Sequence, residues 1–259
     1  MKKWTPSLED IEMYETDGFL VVRRLLGEEE VSHYRQSVDS AVAKYLDGRS
    51  PNSTGYEKVF VQIHNARLFD SAFGELSLNP IIARIAAMLA QTSKIRVFLD
   101  QIIYKQPAAD ATLPHQDAPY LSFNDVRSLN CWIALDKAGA DNGGLEYFAG
   151  SQQYGLTRLV HLDRKDDLLE EFSALKKYPR TPVEVEPGDV VFHNCYTVHC
   201  ASPNRKDKPR RAFSIQYMPD GASFNGWMHP FLEPYRPEIG DILDFDCFPL
   251  VYSDSWKMR

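Results

Sequence analysis

His115 and Asp117 stand two positions apart in Pro114-His115-Gln116-Asp117, after a long run of alternating apolar residues. On an extended backbone, residues two apart point to the same side, so this imidazole and carboxylate can converge on one ion. A second imidazole, His199, lies 84 positions beyond His115, in Tyr196-Thr197-Val198-His199-Cys200. Sandwich topologies place such distant strands side by side. Two histidines and one carboxylate make the facial triad that holds non-haem Fe(II) and leaves positions open for an oxidant and a co-substrate. Arg210 begins the next alternating stretch, eleven positions after His199. Its guanidinium can grip the far end of a dicarboxylate in bidentate fashion while the near end sits on the metal. Arg211 competes for that role, but successive strand residues face opposite sides, so only one of the two enters the pocket.

Each group taken alone has a plainer reading. His115 and Asp117 suit a surface turn, His199 a hydrogen-bonded core position, and Arg210, with Arg205, Lys206, Lys208 and Arg211, a solvated basic loop. His193, six positions before His199, reads as a group that orients a ligand rather than as a ligand. Tyr120, Phe123, Trp227, Phe231 and Tyr235 can stack on a substrate or fill the core. His33, His64, His161 and His229 lack a partner at ligand spacing and receive no role.

Side chains so far apart in sequence need a rigid frame to meet. Ser7-Leu8-Glu9-Asp10 has the form of a capping box, and the helix it starts runs to Gly18 as C-cap. After the apolar run Phe19–Val22, a second helix from Glu28 carries Val31, Tyr34, Val38, Ala41, Val42 and Tyr45 at three- and four-residue steps. Asn79-Pro80 offers an N-cap and a first-turn proline for an apolar helix reaching Ala90. Beyond Lys94 the period changes to two, which predicts a long strand. Arg127–Leu135, Leu145–Phe148, Val183–Val185, Val190–Phe192 and Arg211–Met218 read as further strands. Turn formers Asp141-Asn142-Gly143-Gly144 and Pro187-Gly188-Asp189 separate some of them, and a helix-like insert, Asp166–Tyr178, interrupts the series.

Helices first, then many short strands without βα alternation, predict a mainly β fold with flanking α-helices around a jelly-roll sandwich. One domain over residues 1–259 is expected, with a helical part about 1–93, a jelly roll about 94–218 and an irregular covering segment 219–259. The Gly-, Ser-, Asn- and Pro-rich stretch Asp47–Lys58, or part of the C-terminal segment, is expected to close over bound substrate.

With 36 acids against 29 bases the net charge is -7, which argues against nucleic acid or an anionic membrane as the main partner. Four cysteines, none at C-x-x-C spacing, indicate neither a disulfide framework nor a cysteine zinc site. No apolar leader follows Met1 and no window approaches ~18 apolar residues, so the chain reads as unprocessed and cytoplasmic.

The chain resembles the phytanoyl-CoA dioxygenase family of Fe(II)/2-oxoglutarate-dependent oxygenases. The segments that carry the likeness are Lys105-Gln106-Pro107, His115-Gln116-Asp117, Trp132-Ile133-Ala134-Leu135, Asn142-Gly143-Gly144-Leu145, Gly150-Ser151, Pro187-Gly188-Asp189 and the pair His199 and Arg210. Asp17-Gly18-Phe19-Leu20-Val21 is similar to that family's opening. The resemblance implies a double-stranded β-helix (jelly-roll, cupin-like) core, iron on His115, Asp117 and His199, and the distal carboxylate of 2-oxoglutarate on Arg210. It also implies that Gln101 and Trp132 line the co-substrate pocket. The implied reaction consumes 2-oxoglutarate and O2, releases succinate and CO2, and hydroxylates, desaturates or cyclises a small organic metabolite. Gln152 departs from the family, which often has histidine after Gly-Ser. Related halogenases replace the ligand acid with a small residue, so Asp117 disfavours halogenation. The acidic balance makes acyl-CoA less attractive than a small neutral or sugar-like substrate. The same ligands would also serve a Zn(II)-dependent hydrolase or a metal-binding cupin-like module without oxygenase activity.

Overall fold

The computed structural model describes residues 1–47, 59–162 and 166–255, so most of the glycine-rich stretch, residues 48–58, lies outside the described residues. The alternation beyond Lys94 becomes one twelve-residue strand that organises an antiparallel sheet. That sheet contains β1 (Phe19–Val22), β2 (Val61–His64), β3 (Lys94–Lys105), β5 (Leu129–Ala134), β8 (Val190–Asn194), β10 (Arg210–Pro219) and β11 (Leu250–Ser253). Their order is β1-β8-β5-β10-β3-β11, with β2 sharing the outer edge of β3. A smaller antiparallel sheet runs β4 (Thr112–His115), β9 (His199–Ala201), β6 (Leu145–Phe148), β7 (Arg180–Val183).

The two faces of the large sheet have different covers because its strands keep a period of two. On β10, Phe213, Ile215 and Tyr217 join a core with α1 (Leu8–Asp17), α2 (Glu28–Leu46), α3 (Ser71–Ser77) and α4 (Pro80–Leu89). Phe73 of α3 stacks on Phe213 with centroids 5.3 Å apart, and burying a ring of this size stabilises by roughly 1.5–3 kcal/mol. The opposite face carries Trp132, Ala134, Val191 and Ala212 against Leu145, Tyr147, Val183 and Ala201 of the small sheet. This is the jelly-roll sandwich with flanking helices, and its interior holds the site.

Caps follow the sequence closely. Ser7 and Asp10 form the capping box of α1, Gly18 ends it at φ 80°, and Asn79 caps α4 ahead of Pro80. Elsewhere the elements shift. The expected strand Val183–Val185 is found as β7, Arg180–Val183, while Val185 makes only an isolated bridge to Ala138. Pro182 is tolerated there because β7 is an edge strand and needs no donor on its outer side. The insert Asp166–Tyr178 is broken at Phe172 into α5 (Leu168–Glu171) and a 3-10 turn, Ser173–Lys177, so that Leu168 and Leu175 both reach the core. The flanking segments contribute β1, β2 and β11 to the large sheet, four-residue strands whose pairing with distant partners leaves no local periodicity to read. Residues 71–89 match a membrane span in length and mean composition, although Glu75, Ser77, Asn79 and Arg84 interrupt the apolar run. They form two helices broken at Leu78–Asn79 and packed on the large sheet.

One buried ion pair ties the site's outer wall together. Asp100 of β3 is fully buried and accepts from the Arg67 backbone N–H at 3.0 Å and from its guanidinium. Arg67 also donates to the Cys247 carbonyl at 2.6 Å, joining β3, the turn after β2 and the C-terminal segment. Arg67→Met strands a buried carboxylate, which costs about 3–5 kcal/mol. A matching fall in urea-unfolding stability is expected, partly recovered when Asp100→Leu is added; additive losses in that cycle would contradict the pairing.

Candidate metal centre and co-substrate pocket

The small sheet brings the two ligand-type histidines together, since β4 pairs with β9 with His115 opposite His199. Their ring centroids are 4.3 Å apart. Asp117 arrives differently from the sequence expectation. The strand ends at His115, and Asp117 has helical dihedrals (φ -75°, ψ -33°) at the start of the 3-10 turn Ala118–Tyr120. The carboxylate therefore meets the imidazole through a bend, not through the i, i+2 alternation of a continuous strand. The donor atoms of His115, Asp117 and His199 all lie within 4.8 Å of one another, and each imidazole Nε2 is 3.8 Å from Asp117 Oδ1.

The surrounding hydrogen bonds leave the right atoms facing inward. His115 Nδ1 donates to the Leu113 carbonyl at 2.8 Å and His199 Nδ1 to the Thr197 carbonyl at 3.1 Å, so both Nε2 lone pairs point to the common centre. Asp117 Oδ2 accepts from Asn130 Nδ2 at 2.8 Å and from His193 Nε2 at 3.1 Å, which leaves Oδ1 for the centre. Tyr147 Oη, 2.9 Å from His193 Nδ1, fixes that ring in turn. Burial, reinforced by a neighbouring imidazole, pushes His115 and His199 down to about 4, so both are neutral at pH 7, the form that binds a metal. Burial alone would raise the Asp117 carboxyl. The attraction of His199 and the hydrogen bond from His193 outweigh that and hold it well below the usual carboxylate range.

Arg210 opens β10 opposite Lys105 of β3 and is 2% exposed. Its guanidinium lies 5.1 Å from the centroid of the Trp132 ring, and its Nε and Nη1 have no hydrogen-bond partner. Burial pulls it down to about 10, still charged at pH 7. A buried cation with unmet donors calls for an anion with paired oxygens, which a carboxylate supplies. Arg211 faces the other way, bonded to Asp39 on α2 at 2.7 Å and to Asp136 at 3.0 Å, so the strand register separates the two arginines as expected. Gly143 packs against Lys105 and Arg210 at φ +86°, where a Cβ would fall 2.5 Å from Lys105 Cδ and 3.2 Å from Arg210 Nε. Gly143→Ala should therefore crowd Lys105 and Arg210 and lower folding stability by ~1–2 kcal/mol, the scale for a left-handed alanine. A urea-unfolding midpoint equal to wild type would show that the backbone there relaxes at no cost.

His115, Asp117, His199, Arg210, Gln101 and Trp132 all line one cavity of about 390 Å³. His193, read from the sequence as a group that orients a ligand, does hold Asp117, but sequence reasoning misses Asn130 and the residues behind it. A directional chain runs from Gln62 to Gln101, from Gln101 to Ser214 (3.5 Å), from Ser214 to Asn130 (2.6 Å) and on to Asp117. The signal that could have found it is polarity on the inward positions of otherwise apolar strands, Asn130 on β5 and Ser214 on β10. Of the aromatic candidates, Tyr120 and Trp227 line the cavity, Phe123 and Phe231 pack in the core beside it, and Tyr235 stacks on Phe245.

Known proteins resemble this chain in sequence and in fold. The profile of the family described as phytanoyl-CoA dioxygenase (PhyH) matches residues 14–212. A methylphosphonate hydroxylase of Gimesia maris is 33% identical over 122 residues, 47% of this chain and 44% of that protein, so the match spans less than half of that relative. Among solved structures, the non-heme alpha ketoglutarate dependent carbocyclase SnoK from nogalamycin biosynthesis superposes with TM-score 0.80 at 31% identity, covering 95% of this chain and 96% of that one. The epimerase SnoN, solved with Fe3+, alpha ketoglutarate and nogalamycin RO, gives TM-score 0.78 at 26% identity over 94% and 97% of the two chains.

Proposed function

This chain belongs to the phytanoyl-CoA dioxygenase family of Fe(II)/2-oxoglutarate-dependent oxygenases, and we propose that it oxidises a small organic metabolite at iron held by His115, Asp117 and His199. Arg210 binds the distal carboxylate of 2-oxoglutarate in this reading, with Trp132 beneath the guanidinium and Gln101 on the pocket wall. The observation that carries it is one cavity holding both a buried His-Asp-His cluster and an arginine with two unmet donors. Both groups fit: the donor set suits Fe(II), and the orphaned guanidinium suits a dicarboxylate.

Iron, with 2-oxoglutarate and O2, supplies an oxidant able to take hydrogen from an unactivated C–H bond. The residues of this chain position and shield. The Leu113 and Thr197 carbonyls fix the imidazole tautomers, and Asn130 with His193 fixes the carboxylate so that Oδ1 faces the centre. Leu99, Ile103 and Leu145 give the cavity apolar walls that limit water near a reactive centre. Whether the product is hydroxylated, desaturated or ring-closed follows from which substrate hydrogens these walls expose, and SnoK and SnoN are named for cyclisation and epimerisation. A hydrolytic Zn(II) centre would leave Arg210 without a purpose. The four unpaired cysteines support a cytoplasmic location, and the net charge of -7 supports a small-molecule partner over nucleic acid or membrane.

The test is succinate release from 2-oxoglutarate by anaerobically purified protein after addition of metal and O2. Release with Fe(II) and none with Zn(II) is expected. Fe(II)-loaded protein that binds no 2-oxoglutarate would overturn the reading.

A further inference from the structure

The end of the cavity away from Arg210 is built from neutral polar groups. Gln62 and His64 occupy alternate positions of β2, and the β2–β3 register sets His64 opposite Gln101, so all three side chains share the cavity face. His229, from the C-terminal segment, brings its ring to 5.6 Å from His64 and leans on Phe231 with centroids 4.1 Å apart. Its Nδ1 is buried and has no hydrogen-bond partner. Trp227 and Met228 line the cavity beside it, 50% and 40% exposed.

Charge narrows what this end can receive. His64 is exposed to solvent on one side, yet partial desolvation of its ring by the cavity wall pushes it down, and burial with the nearby His64 pushes His229 down to about 4, so both rings are neutral at pH 7. Among the described residues lining the cavity, that leaves one carboxylate, Asp117, which also engages His193, and one guanidinium, Arg210. In the reading above, the metal occupies the first and 2-oxoglutarate the second. A phosphonate, phosphate, carboxylate or ammonium on the substrate would give up part of its water here with no opposite charge among those described residues to meet it. A hydroxyl, by contrast, both donates and accepts, as does each neutral imidazole.

Building on the oxygenase reading, we propose that His64 and His229 form the substrate subsite and select an uncharged, hydroxyl-bearing molecule. Its hydroxyl groups exchange hydrogen bonds with the two imidazoles, and Trp227 covers its apolar face. The site would then reject methylphosphonate, the compound for which one relative is named.

Saturation-transfer NMR tests this on full-length protein loaded with Zn(II) and 2-oxoglutarate, which permits binding without turnover. The probes are neutral aryl alcohols and aryl glycosides, a size-matched set of aryl phosphates, carboxylates and amines, and methylphosphonate. Binding is expected from the neutral set and not from the charged one. For the tightest neutral probe, His229→Phe and His64→Leu should each raise Kd at least tenfold. His229→Asn, which keeps a donor and an acceptor, should recover part of that, and His33→Phe on the exposed face of α2 should change nothing. Circular dichroism of each variant separates lost contacts from lost fold. Charged probes binding as well as neutral ones, no neutral probe binding, or folded His229→Phe and His64→Leu proteins that both bind like wild type would overturn the proposal. 2-Oxoglutarate titrated into Fe(II)-loaded wild type without any probe tests the oxygenase reading separately: if it binds and the probe pattern fails, only the subsite falls.

Discussion

Arg210→Ala should weaken 2-oxoglutarate binding by two orders of magnitude or more while metal affinity barely changes. The guanidinium is 2% exposed and its Nε and Nη1 meet no protein acceptor, so the variant leaves the distal carboxylate buried without a partner. Breaking a buried pair in this way costs about 3–5 kcal/mol, which is two to three and a half decades in Kd. Lys105 sits opposite Arg210 but cannot take over. Its ammonium is engaged by the Asp110 carbonyl at 2.6 Å and the Val59 carbonyl at 3.2 Å, and burial and Arg210 push it down to about 7. Arg210→Lys should restore only part of the loss, because an ammonium does not reproduce the planar fork. Arg211→Ala is the control, since that side chain is tied to Asp39 and Asp136 on the helix-covered face. Isothermal titration of each protein decides the assignment. Weaker binding in Arg211→Ala than in Arg210→Ala would reverse it.

The contrast between these two arginines shows what a sequence can carry. Period-two alternation sets facing, so the opposite placement of Arg210 and Arg211 is legible in the residue pattern itself, as are Ser7, Gly18 and Asn79 as caps and the long strand beyond Lys94. The bend that delivers Asp117 is not legible, because a two-residue spacing looks the same on a strand and at its end. β1, β2 and β11 escape a sequence reading as members of the sheet for a related reason. Their membership rests on the pairings Phe19 with His193 and His64 with Gln101, long-range events that no local pattern records. His64 and His229 draw no role from the sequence because no local spacing relates residues 165 positions apart, and only the cavity brings their rings within 5.6 Å. Trp227 and its neighbours lie at the cavity in the segment read as covering, while residues 48–58, the other candidate for closure, lie outside the described residues.

Asp117→Ala should abolish turnover and reduce metal affinity by more than the ~10–100-fold typical of losing a group that merely supports a ligand. Asp117 supplies the only carboxylate of the cluster, and its Oδ1 is the atom both Nε2 groups face at 3.8 Å. Without it two neutral imidazoles must hold a dication with no compensating charge. The variant also removes the acceptor of Asn130 Nδ2 and His193 Nε2, two buried donors, so a stability loss of about 1–3 kcal/mol for each is expected alongside. That secondary effect calls for a second variant. Asn130→Ala keeps all three ligands and removes one support of Oδ2, so it should lower metal affinity by roughly 10–100-fold while turnover persists at saturating Fe(II). Oxygen consumption and chelator competition, measured on both variants with folding followed by circular dichroism, separate the two roles. Full oxygen consumption by Asp117→Ala would mean that the carboxylate is not a ligand. Asn130→Ala losing metal as completely as Asp117→Ala would mean that the hydrogen-bond frame, more than the carboxylate charge, makes the site.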